Sequence, residues 1–173
     1  MRSRRRARRS LDRGDGRAVR AFFDDVSPGF FDALRIPILL GRAIEVRDDD
    51  RSEPVVVVTK RLADALWPRE NPIGRYLVRP RSTGAPRPPM RVVGVGGDLR
   101  FAGMRAGPGP TMFIPVFQNF DLGRLTLVVR GRNGLPMRDS ALVRVLEPIA
   151  PAASVRGIEP LRATWSGSCS ATG

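Results

Sequence analysis

Short apolar runs separated by glycine and proline dominate the pattern of this 173-residue chain. Residues 54–58 hold four consecutive valines after a proline, which predicts a strand buried on both faces. Residues 92–95 and 112–117 are further apolar runs, joined by a basic, glycine-rich link. Apolar runs bounded by turn residues are typical of strands in a compact sheet. We therefore expect residues 91–118 to form the central unit of a sheet.

Helical spacing of apolar residues appears between these runs. A first short helix is predicted after Val26, with Ser27 as its N-cap and Pro28 at its first position. A second is predicted over residues 59–67, with Leu62, Ala65 and Leu66 on one side, and a third over residues 136–147. The other predicted strands are residues 38–42, 75–79, 90–95, 124–130 and 153–158. Strands interleaved with a few helices indicate an α+β fold.

Charge is concentrated at the N-terminus. The chain carries a net charge of +13, and residues 1–20 hold nine arginines and two aspartates, which is +7 of that total. Because large apolar residues are scarce there, we expect a disordered basic tail. Such a tail could bind nucleic acid or an anionic surface, or it could be a solvated leader.

Membrane-spanning segments are not expected in this chain, since no apolar run approaches the roughly 20 residues that cross a bilayer. The start MRSRRRARRS resembles the charged region of a signal peptide, but the apolar region that should follow it is missing.

Candidate catalytic and binding residues are few. The chain has no histidine and one cysteine, Cys169, which excludes histidine-based triads, histidine metal sites and intrachain disulfides. Gly94, Gly96 and Gly97 follow a strand, but position 99 is leucine and a regular helix is not expected to follow, so a dinucleotide fingerprint is not formed.

Polar residues elsewhere have simpler interpretations. Asp98, near Arg100, is predicted to be a turn residue that binds backbone amides. Ser27 and Ser52 lack a neighbouring base. Lys60, the only lysine, is predicted to be solvated, residues 48–50 to form a solvated acidic loop, and Trp67 to lie in the core. We expect no catalytic, cofactor-binding or metal-binding residue and no enzymatic activity.

Four segments, in this order, carry a resemblance to a known family. They are V-S-P-G-F-F-D-A-L-R-I-P-I-L-L-G-R at residues 26–42, P-V-V-V-V-T-K-R-L-A-D-A-L-W-P-R-E-N-P-I-G-R at residues 54–75, V-V-G-V-G-G-D-L-R at residues 92–100, and L-V-V-R at residues 127–130. Together with the intervening sequence, residues 26–162 resemble the periplasmic core domain of MacB/FtsX-type ABC transporter permeases, especially the large duplicated bacterial ones.

The resemblance implies a two-lobed architecture. A porter-like α+β lobe would comprise residues 21–53 and 120–164, an inserted strand-rich lobe residues 54–119, and disordered tails residues 1–20 and 165–173.

The resemblance also implies a function without catalysis. The domain would lie on the extracytoplasmic face of the cell membrane and transmit ATP-driven conformational change, or contact partners, during export. Its partners would be the permease transmembrane segments, the ABC ATPase subunit and a periplasmic protein. Since the flanking membrane segments are missing, we expect this chain to be a fragment. The alternative is a small basic protein that binds nucleic acid or anionic surfaces through residues 1–20.

Overall fold

The computed structural model describes residues 9–12, 18–78, 88–101, 109–118, 128–130, 144, 148 and 163–165. The strands in these ranges are β1 (Arg9–Asp12), β2 (Ala18–Val26), β3 (Ile38–Gly41), β4 (Val55–Thr59), β5 (Tyr76–Leu77), β6 (Met90–Gly96), β7 (Leu99–Phe101), β8 (Thr111–Pro115) and β9 (Ala163–Trp165). The helices are α1 (Phe30–Ala33), α2 (Lys60–Leu66) and a 3₁₀ turn, Val116–Gln118.

Seven of these strands form one mixed sheet in the order β1-β2-β8-β4-β6-β3, and β5 also pairs with β6. The pairs β2–β8 and β4–β6 are parallel, whereas β1–β2, β4–β8, β3–β6 and β5–β6 are antiparallel. β7 and β9 form a separate two-stranded sheet. A mixed sheet with a few short helices confirms the α+β prediction.

β4 lies in the middle of the sheet and is buried along its whole length. Its side chains alternate between the two faces, as the pleat requires. Val56 and Val58 pack into a first core cluster with Leu62 and Leu66 of α2. Val55 and Val57 belong to a second core cluster on the other face, which includes Phe31 of α1. The predicted burial of this strand on both faces is confirmed.

The N-terminal region differs from the prediction. Residues 9–12 and 18–20, expected to be disordered, belong to β1 and β2. Strand β2 was not predicted, because Arg20, Asp24 and Asp25 interrupt its apolar residues. It is nevertheless an inner strand between β1 and β8, and its Ala21 is fully buried. Pairing on both sides therefore overrides the local polar composition.

The predicted helix details need two corrections. The N-cap of α1 is Gly29, with a left-handed φ of 83°, rather than Ser27, whose carbonyl accepts a hydrogen bond from the Phe30 amide. In α2, Ala63 rather than Ala65 joins Leu62 and Leu66 on the buried side. Both errors are shifts of two positions, and both helices do form.

The predicted lobes share this sheet. β2 and β3 come from residues 21–53, and they pair with β8 and β6, which come from residues 54–119. The boundary at residues 53 and 54 therefore does not divide the described sheet. Most of residues 120–164 lie outside the described residues. They include the predicted strand 153–158 and all of the predicted helix 136–147 except Arg144, which is helical, so the discontinuous lobe stays a prediction. Residues 128–130, the described end of the predicted strand 124–130, form no strand, and Trp165 belongs to β9.

Candidate functional site

The turn after β6 connects the sheet to the start of α2. Asp98 accepts a hydrogen bond from the Arg61 amide at 3.0 Å, and its other carboxylate oxygen lies 3.8 Å from Arg61 Nε. Arg61 is the second residue of α2, whose own N-cap, Thr59, makes no side-chain cap. Asp98 thus binds a free helix amide that a cap normally binds. The interpretation of Asp98 as a residue that binds backbone amides is confirmed, although the amide is 37 positions away.

The glycines of this segment have a packing role. A Cβ atom at Gly94 would lie 2.0 Å from the Arg42 carbonyl oxygen, and one at Gly41 would lie 2.2 Å from the Val93 carbonyl oxygen. Gly41 and Gly94 face each other in the β3–β6 ladder. These glycines let β3 lie close against β6, where a side chain would separate the strands.

Thr59 and Thr111 join the end of β4 to the start of β8. The Thr59 hydroxyl donates to the Thr111 carbonyl at 3.2 Å and accepts from the Thr111 amide at 3.0 Å. Both residues are buried. The side chain thereby satisfies two backbone groups beyond the last ladder pair, Val58 and Met112.

An ion pair with a buried carboxylate and a half-buried guanidinium follows β3. The Arg42 guanidinium donates two hydrogen bonds to Asp48, at 2.7 and 2.8 Å, and the Glu45 amide donates a third at 2.8 Å. Burial disfavours the charge on Asp48, but these hydrogen bonds and the charges of Arg42 and Arg47 outweigh it, so the pKa of Asp48 lies below its ordinary value. Asp48 is only 2% exposed, so its prediction as part of a solvated loop is wrong.

Gln118 ties the loop before β4 to the end of β8. Its side-chain oxygen accepts from the Val55 amide at 3.0 Å, and its nitrogen lies within 3.0 Å of the Asp49 carbonyl, the Ser52 hydroxyl and the Glu53 carbonyl. Ser52 therefore has a structural role. No apolar pattern marks Gln118, and its part in the fold was not predicted.

Two surface clusters complete the polar network. Glu53 accepts from Arg91 Nε at 2.7 Å and from the Tyr76 hydroxyl at 2.9 Å. The bonds from Arg91 and then Tyr76 lower the pKa of Glu53, and the bond to Glu53 raises the pKa of Tyr76. Lys60, exposed as predicted, pairs with Asp64 at 2.7 Å. Pairs this exposed contribute little to stability.

A shallow groove of about 230 Å³ lies between β3 and α2, and we call it the β3 groove. Its apolar lining residues are Leu39, Leu40, Ala63, Trp67, Pro72 and Val95. Its charged lining residues are Lys60, Asp64, Arg69 and Glu70. Trp67 is 2% exposed and forms part of the core, as predicted, whereas Leu39 and Leu40 are 44% and 51% exposed. The groove is smaller than the 300–1,000 Å³ typical of small-molecule sites and fits one or two side chains.

The polar residues singled out in the sequence are not grouped into one site in the described part of the chain. Ser27 is exposed, the side chain of Arg100 and all of Cys169 lie outside the described part of the chain, and Ser52 is held by Gln118. Among the described residues, no three acidic, histidine or cysteine side chains are grouped as metal ligands. In the same residues, no helix is both long enough and apolar enough to cross a bilayer.

Comparison with known proteins gives a family match and a shared fold. Residues 2–161 match the model of the MacB-like periplasmic core domain. The fold is similar to the crystal structure of the periplasmic region of MacB from Actinobacillus actinomycetemcomitans, with a TM-score of 0.57 and 18% identity, covering 84% of this chain and 64% of that chain. This chain thus spans less than two thirds of that region.

A second solved structure shares the fold. A permease-protein domain from Porphyromonas gingivalis matches with a TM-score of 0.54 and 16% identity, covering 93% of this chain and 72% of that chain. No curated protein matches the sequence.

Proposed function

Because the chain belongs to the MacB-like periplasmic core domain family, an extracytoplasmic domain of ABC-type transporter permeases, we propose that it works by transmitting movement through protein contacts. In this proposal, ATP hydrolysis by the cytoplasmic ATPase moves the permease helices, and the domain carries that movement to a partner on the extracytoplasmic side. The domain performs no catalysis of its own.

The connected sheet is the observation that supports this role best. Seven strands share one ladder system, and three polar contacts cross between segments distant in sequence: Asp98 to Arg61, Gln118 to Val55 and Thr59 to Thr111. A sheet that is hydrogen-bonded in this way is expected to move as a unit, because close-packed protein interiors have low compressibility and transmit strain.

We also propose that residues 120–164 complete the lobe to which α1 belongs. Two described residues of that stretch support this placement, whereas Ala163 and Thr164 pair with β7. Val128 packs against the second core cluster, and Arg130 Nε donates to the Ala33 carbonyl at the end of α1 at 2.6 Å. A basic side chain at the last carbonyls of a helix is a favourable contact.

The test is a pull-down with the purified chain against the permease half and the ATPase of the same transporter. We expect the folded chain to retain the permease half, and a chain lacking residues 1–8 to retain it equally. Gly94→Ala, which disturbs the sheet, should lose it. A folded chain that retains neither the permease half nor an extracytoplasmic partner contradicts the proposal.

The same preparations test the alternative role of the basic tail. If residues 1–20 bind nucleic acid, a gel shift should appear, weaken steeply with salt, and vanish when residues 1–8 are removed. Loss of permease retention together with such a shift would replace the proposed function with the alternative one.

A further inference from the structure

The two strands β7 and β9 lie outside the seven-stranded sheet, and we call them the β7–β9 ribbon. They pair antiparallel, with Leu99 opposite Trp165. β6 ends at Gly96 and β7 begins at Leu99, so two residues, Gly97 and Asp98, join the ribbon to the end of β6. In the described ranges, neither strand of the ribbon pairs with a strand of the main sheet. The ribbon can therefore turn about this connection without breaking a ladder of that sheet.

Both connecting residues are held by hydrogen bonds. The Gly97 amide donates to the Pro37 carbonyl at 2.9 Å. The Asp98 carboxylate accepts from the Arg61 amide at 3.0 Å, and the side chain of Asp98 is only 15% exposed. Because a charged acceptor strengthens a hydrogen bond, the Asp98–Arg61 contact holds the start of the ribbon against α2.

α2 needs an acceptor at this position. It has seven residues, fewer than the roughly 12 that an isolated helix needs in water, and its first amides lack partners within the helix. Thr59, its N-cap residue, uses its hydroxyl on Thr111 and makes no cap. The first turn begins with Lys60 and Arg61 and contains no acidic residue. Asp98 thus supplies both the hydrogen-bond acceptor and the negative charge that stabilise the start of a helix.

We propose that the Asp98–Arg61 contact couples the orientation of the β7–β9 ribbon to the first turn of α2. When the ribbon turns about residues 97 and 98, the carboxylate leaves the Arg61 amide and the first turn of α2 frays. When α2 is intact, it holds the ribbon in place, since such coupling acts in both directions. The main sheet does not take part, because Thr59 and Thr111 join the ends of β4 and β8 independently.

This inference deepens the proposed function and rests on it for its biological meaning. A domain that transmits movement needs a place where displacement enters or leaves without unfolding the sheet. The ribbon has that property, since a short turn attaches it to β6. Lys60 and Ala63 lie in the first turn of α2 and also line the β3 groove. Displacement of the ribbon would therefore change the shape of that groove.

Amide hydrogen exchange tests the coupling. Asp98→Ala should accelerate exchange of the Arg61 amide by about tenfold or more, since this amide has no partner within the helix. Asp98→Asn keeps an acceptor oxygen and should stay within about threefold of the wild type. Asp64→Ala is the matched control. It removes a carboxylate from the same helix, at an exposed pair with Lys60, and should change this exchange by less than about twofold.

A distance measurement tests the orientation of the ribbon, which a cap without this coupling would leave unchanged. Spin labels are attached at Ala65→Cys, near the end of α2, and at Thr164→Cys, in β9, in a chain that carries Cys169→Ser. We expect one narrow distance distribution in this chain and after Asp98→Asn, and a broader one after Asp98→Ala. An equally narrow distribution after Asp98→Ala would overturn the inference, as would unchanged exchange of the Arg61 amide.

The wild type provides a test that does not depend on the folding of any variant. If the contact opens locally, exchange of the Arg61 amide should depend weakly on urea concentration, whereas exchange of the β4 amides should follow global unfolding. An Arg61 amide that exchanges only by global unfolding would contradict the coupling. None of these measurements involves the permease half, so failure of the proposed function and failure of this coupling give separate results.

Discussion

Gly94 lies at the closest approach between two strands of the sheet. The Cβ position of this residue is occupied by the Arg42 carbonyl, which is backbone and cannot rotate away. The ladder pair Gly41–Gly94 shows the same requirement from the other strand. At the scale of single residues, the glycine pattern that invites a phosphate-binding interpretation is explained by backbone packing.

Gly94→Ala should lower the free energy of unfolding by about 3 kcal/mol, because β3 must move away from β6 to admit the methyl group. Chemical denaturation measures this change. Gly96→Ala is the control, since its Cβ would meet only side-chain atoms, of Phe31 at 3.3 Å and of Ile36 at 3.7 Å, and the expected change is below about 1 kcal/mol. Equal effects of the two substitutions would contradict the role given to Gly94.

Asp48→Asn should lower the free energy of unfolding by about 2 kcal/mol near neutral pH, because it breaks the two charged hydrogen bonds from Arg42 and leaves Arg42 with only Glu45, at 3.9 Å, as an ionic partner among the described residues. The folded pKa of Asp48 is depressed, so its contribution is present above its ordinary pKa and is lost as pH falls through the folded value. The difference between wild type and variant should therefore shrink below about pH 4.

Denaturation curves at several pH values test this expectation. Asp64→Asn is the control, because it removes a pair whose side chains are 57% and 62% exposed and should cost less than about 0.5 kcal/mol. A difference for Asp48→Asn that stays constant down to pH 2 would show that its charge does not matter.

Elements of this fold differ in how well the sequence predicts them. β4, β6, β8 and α2 follow from apolar runs and helical spacing, since each strand buries most of its residues and α2 buries one apolar side. β2 does not, because its burial depends on β8, far along the chain. For the same reason, the partners of Asp98 and Gln118 are not predicted. Their partners lie 37 and 63 or more positions away, and a single sequence does not reveal such pairings.

Gln118→Leu should lower the free energy of unfolding by about 2 kcal/mol, because it removes the hydrogen bond to the Val55 amide and those to three oxygens of the loop before β4. Hydrogen exchange should accelerate at Val55 in particular. Asn71→Ala is the control, since Asn71 is exposed and accepts only from the Ile73 amide. A variant with unchanged exchange at Val55 would show that the loop before β4 is held by other contacts.

The N-terminal segments differ in how much they contribute to the stability of the sheet. Residues 1–8 precede β1, whereas β2 lies between β1 and β8 and buries Ala21 and Val26. Deletion of residues 1–8 removes charge only, whereas deletion of β2 leaves one edge of β8 unpaired.

Deleting residues 1–8 should change the melting temperature by no more than about 2 °C, as for other changes outside the core. Deleting residues 1–26 should abolish the cooperative transition, because β8 then loses a paired neighbour and the first core cluster loses Ala21. Differential scanning calorimetry of the two truncated chains distinguishes the cases. A cooperative transition in the shorter chain would show that β2 is dispensable.

The position of β8 also sets the order in which the domain can fold. β8 is inserted between β2 and β4, although both are made earlier in the chain, and its first residue, Thr111, pairs with Phe22. Contacts so distant in sequence form slowly, on the scale of milliseconds to seconds for sheet proteins. During synthesis, which proceeds from the N-terminus, β2 and β4 each keep one unpaired edge until residue 111 has been made. During that interval the half-made domain exposes extended apolar chain, which chaperones bind and which otherwise aggregates.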